Sequence, residues 1–577
     1  MSRQDGMGAS LGAWLRREIR GLSGIGLALG SLFFAATLTP SLIPRTFMAQ
    51  GVLGGLCLAI GYGLGALWRG LWAYMELPEP AERLRRIANS IVALVCLVIV
   101  VLFLSRAAEW QNSIRTLMRM PPLDSAHPTK LCAVALATFA ALLALGRLFR
   151  WGGGYLAARV GRIAPRRVAN VVGFAGALLL VWLLANGVIY RFAIHVLDGS
   201  YQARDALMEP ERRQPDAPEK TGSAASLVRW RDLGRAGREF VASGPTAAEI
   251  EAVAGGPVRE PIRVYVGLGS AETPRARARL ALREMQRVGA FDRKVLVVIT
   301  PTGTGWVDPA AMDTVEYLHR GDIASVAVQY SYLSSPLSLL VQPEFGGETA
   351  RALFSEVYRY WTSLPKEHRP KLYLHGLSLG AMNSEKSAEL FEILGDPVDG
   401  ALWSGPPFGS RIWRSITQSR NEGSPAWLPE FRDGRLVRFM NQDGTRVPAD
   451  TPWGVMRVVY LQYASDAVTF FSYGDFFRRP AWLNPPRGPD VSPQLRWYPV
   501  VTALQIAVDM AVAATTPIGY GHVYAPRHYL EGWVAVTSPP GWSEEALGRL
   551  KEHLARTVRA PRGSFQGGES AYSNRGG

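Results

Sequence analysis

Five stretches within the first 190 residues contain no Asp, Glu, Lys or Arg: 21–44, 46–68, 87–105, 131–146 and 168–190. About 20 apolar residues cross the hydrocarbon core of a bilayer as a helix, so all but the fourth are long enough outright. The fourth is extended by Leu148 and Phe149, while Lys130 and Arg147 can snorkel toward the head groups. A cleaved signal peptide has a shorter apolar core and no spans behind it, so 21–44 reads as a retained helix. The stretches are apolar on every side, unlike the one-faced helices of a soluble domain. Residues 1–197 therefore read as an α-helical transmembrane bundle of about five helices.

No Asp, Glu, Lys or Arg interrupts these spans, which weighs against a transporter, whose ion or proton path needs such groups at membrane depth. Anchoring, or shaping a lipid-facing entrance, is the simpler role. The positive-inside bias orients the bundle. With a cytoplasmic N-terminus, the inside segments hold Arg16, Arg17 and Arg20, then Arg83, Arg85 and Arg86, then Arg159, Arg162, Arg166 and Arg167 among others. The first two outside loops hold only Arg45, Arg106, Arg115, Arg119 and Lys130. An odd number of spans then carries the remainder out of the cytoplasm. The expected location is the inner (cytoplasmic) membrane, multi-pass, with an extracytoplasmic catalytic domain.

The net charge of +15 falls largely in these short loops, and no basic run is interleaved with stacking aromatics, so a nucleic-acid partner is not expected. The three cysteines, Cys57, Cys96 and Cys132, all lie within apolar spans and build neither a disulfide framework nor a zinc site. No H-E-x-x-H or other ligand cluster is present, so no metal or cofactor is expected.

Residues 198–260 are charged and rich in Pro and Gly, and read as a linker with a short helix near its end, where Thr246 and Glu249 have capping-box spacing. Residues 561–577 are polar and Gly-rich and read as disordered. Between them, over 261–560, short β-branched or aromatic runs (RVYVGL, KVLVVIT, IASVAVQY, KLYLHG, GALWSG, LVRFM, RVVYLQYA) alternate with helical periodicities such as RARARLALREMQRV and GETARALFSEVYRYW. Alternation of this kind implies a mostly parallel, doubly wound sheet with its site beyond the carboxyl ends of the strands.

One such run, KLYLHG, leads into Gly376-Leu377-Ser378-Leu379-Gly380 and then a helix. This is the G-x-S-x-G elbow in its strand-turn-helix setting, where small residues permit the sharp turn that exposes the serine hydroxyl. Serine is a weak nucleophile until a base takes its proton. Among the histidines that follow every strand, His522, in GYGHVY, has room to reach the serine, whereas His528 reads as an exposed loop residue. For the acid, Asp466 follows the run RVVYLQYA, with Asp443 reading as a turn residue and Asp475 as structural. The oxyanion donors are expected at the Leu379 N–H and in the loop Pro301–Gly305, at Gly303 and Thr304. Between Asp466 and His522 lies a long insertion that reads either as a lid near the membrane or as a helix packed on the core.

Long segments of the chain resemble the bacterial membrane-anchored α/β-hydrolases that have a multi-helix N-terminal region and a separate catalytic segment. They are LTPSLIPR, PIRVYVGLGSAET, TPTGTGWVDP, VQYSYLSS, SLGAMNSE, YLQYASDAVTFF, PRGPDVSP and GYGHVY. The resemblance implies an α/β-hydrolase fold with lipase- or esterase-like activity, and Ser378, Asp466 and His522 stand at the matching motif positions. The expected function is hydrolysis of a carboxylic ester of a lipid or acylated envelope component through an acyl-enzyme on Ser378. An envelope acyltransferase using the same three residues, and a membrane sensor or scaffold without activity, are the alternatives.

Overall fold

The computed structural model describes residues 22–183, 205, 207–209, 212–333, 335, 338, 344–388 and 393–557. The chain forms two compact units: Met1–Gly187 with Phe471–Leu483 and Asp490–Val512, and Val188–Phe470 with Asn484–Pro489 and Ala513–Gly577.

The first unit holds helices α1 (Gly24–Thr37), α2 (Phe47–Tyr74), α3 (Glu82–Leu117), α4 (Pro128–Val160) and α5 (Arg166–Leu183). Three of them, α2, α3 and α4, are long and apolar enough to cross a membrane. The stretch 21–44, expected as one span, gives only the 14-residue α1. Pro40 and Pro44 follow; proline lacks an N–H and restrains its predecessor, so the chain leaves the helix and runs to Thr46 as an irregular segment. The expected fifth span continues past α5 into residues outside those described. Helices α1 and α2 meet through small residues: a Cβ on Gly61 would lie 2.8 Å from the Gly30 Cα, and one on Gly65 would lie 2.7 Å from the Gly26 Cα. Both helices carry the glycines at four-residue spacing, which lets the two backbones approach closely.

In the second unit, β1 (Ile262–Val266), β2 (Val295–Thr300), β3 (Ile323–Val328), β4 (Lys371–Leu377), β5 (Gly400–Ser404), β6 (Val437–Met440) and β7 (Arg457–Leu461) form one sheet in the order β1-β3-β2-β4-β5-β7-β6. Every strand pair is parallel. Buried on both faces, the strands read as continuous apolar runs and not as alternations. Register aligns their carboxyl ends: Thr300 pairs with Gly376, Leu377 with Ser404, and Ser404 with Leu461. The segments that follow β2, β4, β5 and β7 therefore emerge side by side.

Within 198–260, residues from 212 onward do more than connect. Val228, Trp230, Leu233, Phe240 and Val241 are buried, and the helices α6 (Gly234–Ala242) and α7 (Ala247–Ala254) form there. A Cβ on Gly237 would strike the Tyr265 ring of β1 at 2.4 Å, so α6 lies directly on the sheet. The capping box of α7 is present, with Thr246 and Glu249 bonded reciprocally. The expected disordered tail lies outside the described residues.

Candidate active site

After β4 the backbone turns at Ser378, whose φ of 57° and ψ of −125° lie in a region that L-residues rarely adopt. Strain of this kind persists only where the surroundings hold it. A Cβ on Gly376 would lie 2.4 Å from the Gly380 carbonyl carbon, and one on Gly380 would lie 2.2 Å from the Thr300 oxygen. Both glycines of the motif are thus demanded by close backbone approach. The Ser378 N–H donates to the Ser404 oxygen (2.9 Å), extending the ladder one step past the strand. From there the short helix α8 (Leu379–Glu385) begins, and its first intrahelical bond runs from the Met382 N–H to the Ser378 oxygen. The preceding N–H groups, Leu379 first, have no partner within the helix.

Asp466 follows β7 and is fully buried. Its Oδ2 accepts from His522 Nδ1 at 2.7 Å and from the Tyr524 hydroxyl at 2.7 Å, with Thr469 Oγ1 at 3.2 Å; its Oδ1 accepts from the Val468 N–H. His522 rides on a tight turn, where the Val523 N–H donates to the Tyr520 oxygen and Gly521 takes a φ of +56°. The Gly521 N–H donates to Ser465 Oγ (2.9 Å), which pins the histidine-bearing turn to the residue before the acid. A carboxylate only accepts, so Nδ1 carries the proton and Nε2 presents a lone pair. That Nε2 is buried and has no hydrogen-bond partner among the described residues, the Ser378 hydroxyl included.

Residues 404–405 relate serine and histidine. Ser404 accepts the Ser378 N–H, and the next residue, Gly405, sits where a Cβ would lie 2.7 Å from His522 Cε1 and 3.0 Å from Asp466 Oδ2. Glycine at 405, with φ +49°, lets the histidine and the acid press against the end of β5, one residue from the elbow.

Of the rival residues, His528 is not exposed as expected but buried. Arg527 Nε donates to its Nε2 (2.9 Å), so its Nδ1 holds the proton and donates to the Tyr463 hydroxyl (2.6 Å). Both nitrogens are committed, and burial pushes its pKa down to about 3. Asp443 sits in a turn whose N–H is capped by Asn441 Oδ1. Asp475 is buried in the other unit.

The loop after β2 differs from expectation in one donor. The Gly303 N–H is given to Ser335 Oγ (3.2 Å), and the Thr302 N–H to the Trp306 oxygen. The Thr304 carbonyl accepts from Gln329 Nε2, which fixes that peptide. The same motif supplies Asp308, fully buried; its Oδ1 caps the helix α9 (Pro309–Leu318)'s Ala310 N–H and its Oδ2 accepts from the Tyr529 hydroxyl (3.0 Å). Burial raises its pKa to about 7. Neither Tyr524 nor Asp308 was singled out from the sequence, although each lies within a quoted motif, GYGHVY and TPTGTGWVDP. The signal was available in Tyr524, two residues past the histidine. Among the described residues, no group of three or more His, Cys, Asp or Glu is arranged to hold a metal ion.

Comparison with known proteins agrees with this architecture. Residues 262–550 match the model of an alpha/beta-hydrolase family, and residues 38–245 match the N-terminal model of an alpha/beta-hydrolase family. Neither the curated proteins nor the solved structures gave a match. The family matches together span most of the chain, strands and N-terminal helices alike, and the protein belongs to the two-part alpha/beta-hydrolase family.

Proposed function

We propose that the protein is a membrane-anchored serine esterase of lipase type, in which Ser378, His522 and Asp466 form the catalytic triad. The observation that carries the reading is the His522–Asp466 bond of 2.7 Å, which leaves Nε2 buried and without a partner among the described residues, together with the strained backbone at Ser378. In the reaction, Ser378 Oγ attacks the ester carbonyl as its proton passes to His522 Nε2. The carbonyl electron pair moves onto oxygen, where the Leu379 N–H at the start of α8 donates to it, with a second donor from the loop at Gly303 and Thr304. For Gly303 this requires release from Ser335. The tetrahedral adduct collapses, the alcohol leaves with the proton from Nε2, and water repeats the sequence to free the acid and regenerate Ser378. No cofactor enters any of these steps.

The N-terminal helices supply the anchor in this reading, with α2, α3 and α4 crossing the bilayer and the catalytic unit outside the cytoplasm. A lipid or acylated envelope component is the substrate that suits an esterase held at a bilayer. The test is labelling with a fluorophosphonate probe, which forms a covalent adduct with an activated serine. Wild type should label and Ser378→Ala should not; equal labelling of the two would falsify the assignment.

A further inference from the structure

The insertion between Asp466 and His522 is not a helix on the sheet's core: Phe471–Leu483 and Asp490–Val512 fold into the helical unit. Its helix α10 (Val501–Ala511) reaches the irregular segment between α1 and α2. Gln505 Nε2 donates to the Thr37 and Thr39 oxygens, both at 3.1 Å, and Asp509 Oδ2 accepts from the Leu42 N–H at 3.0 Å. Arg45 Nε lies 3.0 Å from Asp509 Oδ1, with both side chains fully buried. Val501 packs with Ala36, Leu53 and Cys57. Ser492 Oγ lies 2.8 Å from Ser113 Oγ, near the end of α3. All these contacts fall where α1 ends, α2 begins and α3 ends, so the insertion caps one end of the bundle.

The turn at residues 473–476 is held to this cap. Trp497 Nε1 donates to the Asp475 oxygen and the Val500 N–H to the Phe476 oxygen, both at 2.9 Å. Its outer surface is unusual in both charge and apolarity. Tyr473 is 72% exposed and Phe477 is 79% exposed. The three acids of the insertion, Asp475, Asp490 and Asp509, are all buried, whereas three of its four arginines, Arg478, Arg479 and Arg496, are exposed and the fourth, Arg487, is half-buried. The exposed charge is therefore wholly positive, and it flanks two aromatic rings at the level where helices capable of crossing a membrane terminate. Aromatic rings beside basic groups suit the boundary between acyl chains and head groups, and the arginines suit anionic head groups in particular.

We propose that Tyr473 and Phe477, with Arg478, Arg479 and Arg496, form an interfacial anchor that binds anionic phospholipid head groups at this end of the bundle. The proposal rests on the membrane reading and adds to it: the segment joining the acid to the base is itself seated in the lipid surface.

Nitroxide labelling of the full chain in nanodiscs tests it. A label is placed at Phe477→Cys, with Leu97→Cys, exposed on α3, as the hydrocarbon reference and Glu545→Cys as the aqueous one. Label bound to the native thiols, two buried and one half-buried, is subtracted using the unsubstituted chain. Collision rates with oxygen and with a water-soluble nickel chelate report depth. In phosphatidylglycerol discs the label at 477 should be shielded from nickel at least threefold relative to the label at 545. Phosphatidylcholine discs, or Arg478→Gln, Arg479→Gln and Arg496→Gln together, should remove most of that shielding. Nickel access at 477 equal to that at 545, while position 97 reports hydrocarbon, would overturn the anchor and leave the membrane reading intact. Nickel access at 97 as high as at 545 would instead sink the membrane reading. Equal shielding in both lipids would overturn the anionic specificity.

Discussion

Asp466 is fully buried, and its carboxylate is held by the donors that face it: the imidazole, the Tyr524 hydroxyl, Thr469 and one backbone N–H. Tyr524 and His522 share a single oxygen, so each limits how much negative charge the other meets. Tyr524→Phe removes one charged hydrogen bond, about 1.5–3 kcal/mol of stability. It also leaves Oδ2 held by one donor fewer, so the carboxylate orients the imidazole less firmly and the rate of fluorophosphonate labelling at Ser378 should fall several-fold. A loss of stability with an unchanged labelling rate would show that Tyr524 only packs. Asp308 gives the second prediction at this scale. Its folded pKa of about 7 stands above the ordinary carboxylate value of 3.8, so it binds its proton more tightly folded than unfolded. Its favourable contribution is complete below the unfolded value and is lost as pH rises through about 7. Asparagine keeps an acceptor for the Ala310 N–H and has no charge to bury. The melting temperature of Asp308→Asn relative to wild type should therefore rise between pH 5 and pH 8; a difference constant across that range would count against the argument.

Elements were legible in the sequence where local pattern and burial agree. All seven short runs read as strands are strands, because a sheet buried on both faces requires unbroken β-branched and aromatic sequence and little else in this chain has it. The elbow was legible because its glycines answer to backbone contacts within a few residues. Long-range pairing was not legible. The segment 38–45 looks like the end of a span, yet its backbone is satisfied by side chains far along the chain, Gln111, Gln505 and Asp509. His528 looked like a loop residue because nothing local reveals that Arg527 and Tyr463 take both its nitrogens. The Arg45–Asp509 pair shows the energetic side of such pairing. Removing one partner of a buried ion pair leaves the other charged and dry, a loss of about 3–5 kcal/mol, whereas removing both charges is far less harmful. Arg45→Met should thus lower the melting temperature sharply, and Arg45→Met with Asp509→Asn should recover much of the loss, since asparagine still accepts the Leu42 N–H. A double variant as unstable as the sum of the single ones would mean that the two charges do not act as a pair.

At the scale of the whole molecule, the chain leaves the sheet-bearing unit after Phe470, four residues past Asp466, folds into the helical unit except over Asn484–Pro489, and returns at Ala513, nine residues before His522. The two parts of the family are for this reason not separable at the boundary suggested by the apolar spans. A chain trimmed to residues 205–577 keeps every strand and Ser378, Asp466 and His522. It also keeps Gln505, Asp509, Val501 and Ser492, whose partners Thr37, Leu42, Arg45, Leu53 and Ser113 are gone. Asp509 becomes a carboxylate without its cation, and the face of α10 that met α1 and α2 becomes exposed apolar surface, a known source of association. The trimmed chain should elute as aggregate in size-exclusion chromatography without detergent. Asp509→Asn alone should not rescue it, whereas Val501→Ser, Leu504→Gln and Val508→Thr added to Asp509→Asn should shift it toward monomer. A trimmed chain that runs as a monomer with no substitution would mean that the insertion finds its own packing without the helical unit.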